Sequence, residues 1–290
     1  MAKDAPIAIS RQDGIATITL NCPERRNSLG REAVVVLHRT IDEADRDDEV
    51  RAIVITGAGS AFSVGADLSG GAETFQTPTR TEQAPHDDRG QGSLDDRDLG
   101  GWLALRIFEC GKPVIAAVNG VAAGLGATML LPMDVRIAVD TARFGFVFAR
   151  RGIIPEACST WFLPRVVGIS RAMDWMTSGR IVDAAEAVES GLIRSLHSPD
   201  DLLPAAYAAA RAMTEQSAPV SVALVRRLLW DGLTVGHPRD VHPVESSLIR
   251  ALASHPDAHE GIRSFIEKRS PRFVGRPGAE TRTLLDDARA

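Results

Sequence analysis

Apolar and polar positions along the chain mark out its elements. Ile7 to Ser10 and Ile15 to Leu20 are apolar-rich runs on either side of Asp13-Gly14, which predicts a β-hairpin. Between Arg31 and Arg46, Val34, Leu37, Ile41 and Ala44 recur at three- and four-residue spacing, one face of a helix. His38 lies beside that face and reads as a packing or surface histidine. Ala52 to Thr56 is a short strand run, so this helix links two strands as a right-handed βαβ crossover. Leu99 to Cys110 reads as helical and Val114 to Val118 as a buried strand. Val135, Ile137 and Val139 alternate, and so do Phe144, Phe146 and Phe148, which would then share one face of a strand. Ser170 to Ser178 is expected to be a helix with Ser170 as N-cap and Gly179 just past its end. Asp183 to Glu186 has the form of a capping box. From about residue 201 onward the runs LLPAAYAAARAM, VSVALVRRLLW, VESSLIRALAS and EGIRSFIEKR are helical. There is no internal repeat, heptad array or basic stripe.

Two stretches interrupt this pattern with glycine. In Lys112 to Thr128, KPVIAAVNGVAAGLGAT, the strand run is followed by Gly120, Gly124 and Gly126 and then a helical run, Ala127 to Leu131. In 52–68, Gly57, Gly59 and Ser60 break the strand before Ala61 to Leu68, where Asp67 is placed to cap a helix. A strand that turns through glycine into a helix leaves N–H groups free at the helix start, with the helix dipole behind them. Each stretch reads either as a tight turn between core elements or as an N–H donor. Two such turns together can aim two N–H groups at one oxygen, as an oxyanion hole requires. Neither fits G-x-G-x-x-G or carries the Gly-Lys-Ser/Thr of a P-loop, which argues against a nucleotide site. Residues 69–98 are rich in Gly, Thr, Gln and Asp. They read as a surface insertion or as a lid over the turn before them; His86, Asp87 and Asp88 within them read as solvated polarity.

Composition narrows the classes. A net charge of −5 gives no reason to expect nucleic acid or an anionic membrane, and no apolar stretch is long enough to span a bilayer. Cys22, Cys110 and Cys158 lie apart without metal-type spacing, and MAKDAPIAIS has no apolar signal core; both suit a cytoplasmic protein. His237, His242, His255 and His259 sit in two proline-containing loops and read as surface histidines before metal ligands.

The segments ITLNCPERRNSL (18–29), AIVITGAGSAFSVGADL (52–68), KPVIAAVNGVAAGLGATML (112–130), DVRIAVDTARFGF (134–146), IIPEACSTWFLPRVVG (153–168) and FIEKRSPRF (265–273) resemble the crotonase superfamily, the enoyl-CoA hydratase/isomerase family, in family order over nearly the whole chain. The resemblance implies an α/β fold, a spiral of β-β-α units over residues 1–200, with a C-terminal helical region, 201–290, that packs on the core and on neighbouring subunits in a homotrimer or a dimer of trimers. It implies an acyl-CoA thioester substrate, so coenzyme A enters as part of the substrate and no separate cofactor is needed. By position, the oxyanion donors are the N–H groups of Ala66 and Leu125, although the second position is commonly glycine in the family. Ser63, Gly65, Asp67, Leu68 and Gly124 would lie along the pantetheine and thioester. Arg25 and Arg26 would meet the phosphates of the nucleotide, or else form a solvated basic turn. Phe265 and Lys268 would reach the nucleotide from a neighbouring subunit, or else end an amphipathic helix.

The acid/base positions set this chain apart. Family hydratases use two glutamates; their positions here hold Thr128 and Phe148, neither of which can act as a carboxylate. A third position, after IIP, holds Glu156, where double-bond isomerases of the family place a single acid. The wording PEACSTWFLPR resembles the peroxisomal type of Δ3,Δ2-enoyl-CoA isomerase. An apolar wall of Phe148 and Trp161 would keep water from this acid and raise its pKa. Without the resemblance, Glu156 reads as a first-turn helix residue after Pro155 before a catalytic acid. The sequence thus supports an isomerase using Glu156, a hydratase with relocated acid/base groups, or an acyl-CoA-binding relative without catalysis.

Overall fold

Asp13 and Gly14 both take left-handed φ angles, 51° and 73°, and turn β1 (Ile7–Gln12) back on β2 (Ile15–Leu20) as an antiparallel pair. The computed structural model describes residues 5–73 and 97–289. The amphipathic α1 (Arg31–Arg46) buries Val34, Leu37, Ile41 and Ala44 and returns the chain to β3 (Ala52–Gly57), parallel to β2. His38 stacks on Trp102, ring centroids 3.5 Å apart, and burial with nearby Arg106 lowers its pKa to about 4. After β3 come β4 (Ala61–Ser63), a 3-10 turn (Leu68–Glu73) and α2 (Leu99–Glu109). The sequence expectations for 74–96, including a lid and His86, Asp87 and Asp88, fall outside the described residues.

The rest of the core repeats one unit. β5 (Val114–Val118) leads to β6 (Val121–Ala123) and the short α3 (Leu125–Thr128); β7 (Val135–Val139) leads to β8 (Arg143–Gly145). The helices α4 (Ser159–Val167) and α5 (Ile169–Ser178) then precede β9 (Ile181–Asp183), α6 (Ala184–Glu189) and β10 (Ser195–His197). The longer strands form one sheet in the order β1-β2-β3-β5-β7-β10, parallel from β2 onward, and the three-residue strands form a second, β4-β6-β8-β9. Each of β3–β4, β5–β6 and β7–β8 gives a strand to both sheets, which makes the spiral. β5 is fully buried, with β3 and β7 on its two edges and the helix Pro199–Thr214 packed against it.

Several expectations are corrected here. The glycine stretch contains β6 before its helix, and the helix begins at Leu125, not Ala127. β8 ends at Gly145, so Phe148 lies off the strand; it is buried at the start of a 3-10 turn, Ala149–Arg151, while Phe146 stacks on Trp175. Gly168, not Ser170, precedes α5; Gly179 ends it at φ 58° as expected. Asp183 caps α6 through Glu186 N–H.

The C-terminal helices differ in how they attach. In α7 (Pro199–Thr214), Leu202, Ala206 and Ala210 are buried in the main core. The remaining helices are α8 (Pro219–Gly232), α9 (Pro238–Leu252), α10 (Pro256–Glu267) and α11 (Pro277–Arg289). Val220, Leu224, Leu248 and Leu285, from α8, α9 and α11, form a separate small cluster. Arg226 fastens α8 to the core: it is buried, pairs with Asp134 at 2.8 Å and donates to the carbonyls of Phe108 and Cys110. His237 and His255 act as N-caps of α9 and α10, accepting from Arg239 and Asp257 N–H. Among the described residues no cluster of three or more metal-ligating side chains occurs, and no helix is long and apolar enough to cross a membrane.

Candidate active site

The turn after β4 is built before anything can bind to it. Asn27 is buried; its amide nitrogen donates to Ala58 and Ala61 carbonyls at 2.9 and 2.8 Å, and its side-chain oxygen accepts Cys22 N–H. Ser63 is fully buried, and its hydroxyl donates to Asn27 C=O at 2.7 Å and accepts Gly65 N–H. The Ser63 side chain, at a position expected to lie along the pantetheine, is engaged in shaping the turn. Leu29 pairs with Ala66 through Gly65 C=O and Asp67 N–H. That parallel bridge turns Ala66 N–H to the opposite side, where it meets no protein acceptor among the described residues.

The turn after β6 closes against it. A Cβ on Gly65 would stand 2.6 Å from Ala123 O and 2.9 Å from Leu125 N; one on Gly126 would stand 2.2 Å from Ser63 O. Only glycine permits this approach. Gly124 takes φ 54°, ψ −129°, donates its N–H to Gly145 C=O and starts α3. Leu125 N–H, first in that helix, has no intrahelical acceptor. The two expected donors, Ala66 and Leu125, thus lie on adjoining turns, their N–H groups without an acceptor among the described residues. Leucine in place of glycine at 125 is compatible with this backbone, since the left-handed residue is Gly124.

Glu156 comes to the same place by a different route. It does not sit in the first turn of a helix: Ala157 and Cys158 follow it at φ 59° and 53°, and α4 begins only at Ser159. Two successive left-handed residues without glycine cost on the order of 1 kcal/mol each. Asp98, the N-cap of α2, accepts Ala157 N–H at 3.2 Å, and Ser159 N–H donates to Glu156 C=O at 3.0 Å. The Glu156 carboxylate accepts the Thr128 hydroxyl at 2.8 Å. Its other oxygen and a Leu125 methyl converge above Gly100 of α2; a Cβ there would fall 1.4 Å from the oxygen and 3.0 Å from the methyl. Burial pushes the Glu156 pKa up to about 7; the Thr128 hydrogen bond opposes this and the charge of Asp98 adds to it. An acid with that pKa can both take and return a proton near neutral pH.

Other expected contacts fall elsewhere. Trp161, expected to wall Glu156, has its ring in a cluster with Phe108, Phe162 and Trp230, and Arg165 lies over it at 4.0 Å. Leu125 and Gly100 supply the apolar side instead. Phe148 is linked to the site through its backbone, its C=O accepting Ile153 N–H on the way to Glu156. Arg25 is exposed and paired with Asp67 at 3.0 Å, and Asp67 also caps the following 3-10 turn by accepting Ser69 N–H. Exposed Arg26 accepts Val64 N–H with its carbonyl, and Leu68 is exposed beside Asp67. Phe265, 84% exposed, and Lys268 lie on and after α10, with no hydrogen bond, ion pair or ring contact to these turns. Asn27, Thr128, Asp98 and Gly100 were not read as functional. Asn27 stands inside the quoted motif ITLNCPERRNSL and was legible as a buried turn residue. Gly100 and Asp98 carry no pattern that points to Glu156, 56 and 58 positions away.

Comparison with known proteins adds the wider setting. The sequence profile of the family described as "Enoyl-CoA hydratase/isomerase" matches residues 10–276. An enoyl-CoA hydratase of Alternaria alternata is 38% identical over 262 residues, 90% of this chain and 83% of its own. The 1,2-epoxyphenylacetyl-CoA isomerase of Escherichia coli is 34% identical, covering 91% of this chain and 97% of its own. The crystal structure of a probable enoyl-CoA hydratase/isomerase from Mycobacterium abscessus superposes with a TM-score of 0.81 at 35% identity, over 93% of this chain and 98% of that one. By profile, sequence and fold together, this chain is a member of the enoyl-CoA hydratase/isomerase family, the crotonase superfamily.

Proposed function

We propose that this enzyme shifts a double bond in an enoyl-CoA thioester, with Glu156 as the single proton shuttle. Thioester binding would direct the carbonyl oxygen at Ala66 and Leu125 N–H. Glu156, as carboxylate, removes a proton from C2 of a 3-enoyl-CoA. The electrons move into the thioester as a dienolate whose oxygen the two N–H groups stabilise, each by roughly 3–4 kcal/mol. The same carboxyl returns the proton to C4, leaving the 2-enoyl-CoA. Nothing is gained or lost overall, so one acid suffices.

One observation carries this reading: among the described residues the only carboxylate hydrogen-bonded into the junction of the two turns is Glu156, and Thr128, at a hydratase acid position, serves as its donor. Arg25 and Arg26 with Phe265 and Lys268 of a neighbouring subunit are proposed to hold the nucleotide. Exposed Ile249, Ile262, Phe265 and Ile266 on α9 and α10 favour a homo-oligomer, trimer or dimer of trimers. Hydration of a 2-enoyl-CoA is the second reading, favoured by the names of relatives such as the Alternaria alternata hydratase. The test is Glu156→Gln. Turnover of 3-enoyl-CoA should fall at least about 1,000-fold while CoA-ester affinity, by calorimetry, is kept; wild-type turnover would refute the assignment.

A further inference from the structure

The Glu156 carboxylate, hydrogen-bonded to Thr128 of α3, also lies against the start of α2. Gly100 lies beneath it, and any side chain there would occupy the position of the carboxylate oxygen, since a Cβ falls 1.4 Å from it. Asp98, one turn-start earlier, caps Gly101 and also accepts the N–H of Ala157, the first of the two left-handed residues after Glu156. Ala157 is fully buried, so its N–H has no access to water and depends on this acceptor.

We propose that Asp98 and Gly100 are the positioning residues of the proton shuttle: Gly100 by leaving the volume the carboxylate fills, Asp98 by tying down the backbone that aims it. This rests on the isomerase reading of Glu156 but adds residues to which neither the family resemblance nor the pattern of the sequence points. The groups facing the carboxylate are Leu125 and Thr128 from α3, Gly100 of α2 with its N-cap Asp98, and Cys158 on its own segment. Removing the charge of Asp98 while keeping an acceptor therefore has a defined sign: Glu156 ionises more readily.

The experiment compares kcat, KM and the pH profile of 3-enoyl-CoA isomerisation across a small set of variants. Gly100→Ala should lose about 100-fold in kcat with KM within about threefold. Adding Glu156→Asp to it shortens the acid by one methylene and vacates the clash. That double variant should recover about tenfold over Gly100→Ala, although Glu156→Asp alone is impaired. Asp98→Ala should lose about tenfold in kcat, whereas Asp98→Asn keeps most of it and moves the acid limb of the profile to lower pH. Thermal melting and CoA-ester binding establish that each variant is folded; if Gly100→Ala is not, the Asp98 pair decides. Wild-type kcat in folded Gly100→Ala, or identical profiles for Asp98→Ala, Asp98→Asn and wild type, would overturn the proposal. Failure of the isomerase reading looks different: Glu156→Gln itself would then retain turnover.

Discussion

The two parts of the site are made by opposite means. Around Ala66 and Leu125 the proposed functional atoms are backbone N–H groups, fixed by glycines that let β4 and α3 touch and by the buried hydrogen bonds of Asn27 and Ser63. Around Glu156 the proposed functional atom is a side-chain oxygen, fixed by a strained turn, a threonine hydroxyl and an empty volume above Gly100. A backbone donor is indifferent to the side chain that carries it, so leucine can stand at 125. A carboxylate depends on everything around it, because burial, charge and hydrogen bonding all set its pKa.

This contrast can be broken at either half. Gly126→Ala should do most damage, since its Cβ would meet a backbone carbonyl, Ser63 O, at 2.2 Å and neither turn can yield cheaply. We expect kcat to fall about 100- to 1,000-fold, as for loss of a hole donor, with a lower melting temperature. Thr128→Val removes the hydroxyl that favours the charged acid. Its kcat should drop about tenfold and its acid limb should move to higher pH, measured as a pH–rate profile. Leu125→Gly keeps the N–H but opens the apolar side of Glu156. A loss of only a few-fold is expected, with the limb moving to lower pH. The two substitutions on α3 should therefore shift the profile in opposite directions, which a uniform structural effect would not do.

Stability should report the same carboxyl without any substrate. Glu156 has a folded pKa of about 7, above the ordinary unfolded value. The folded state thus holds a proton that the unfolded chain has released, and stability falls as pH rises through that window, from about 4.5 to about 7. Glu156→Gln removes this penalty. Its melting temperature should match wild type near pH 4.5, rise above it up to about pH 7 and keep a constant lead beyond. Calorimetric scans at several pH values would measure it, and a lead that does not depend on pH would show that Glu156 is not buried as described.

What was legible in the sequence follows the same division. The hairpin at Asp13-Gly14, α1, β3, β5 and both glycine turns follow from local pattern, because turn chemistry and apolar period act over a few residues. β6, β9 and β10 did not, since three residues are too few for a period to register. The Glu156 environment was legible only as a position in a motif. Trp161 seemed free to wall it, but Trp230 and Phe108, brought together by α8 and α2, take it into an aromatic cluster. Leu125, which looked like a departure from the family, fills that role. Asp98 belonged by composition to the polar segment before α2, and its bond to Ala157 depends on tertiary packing alone.

The central claim is that one carboxylate performs the whole proton transfer. The most direct measurement is a paired assay of the purified enzyme on 3-enoyl-CoA and 2-enoyl-CoA of matched chain length, following double-bond migration and water addition separately. The account predicts isomerisation of the first without hydration of the second. Hydration of the 2-enoyl-CoA at a rate comparable with isomerisation would require a second acid/base group beside Glu156 and would contradict it.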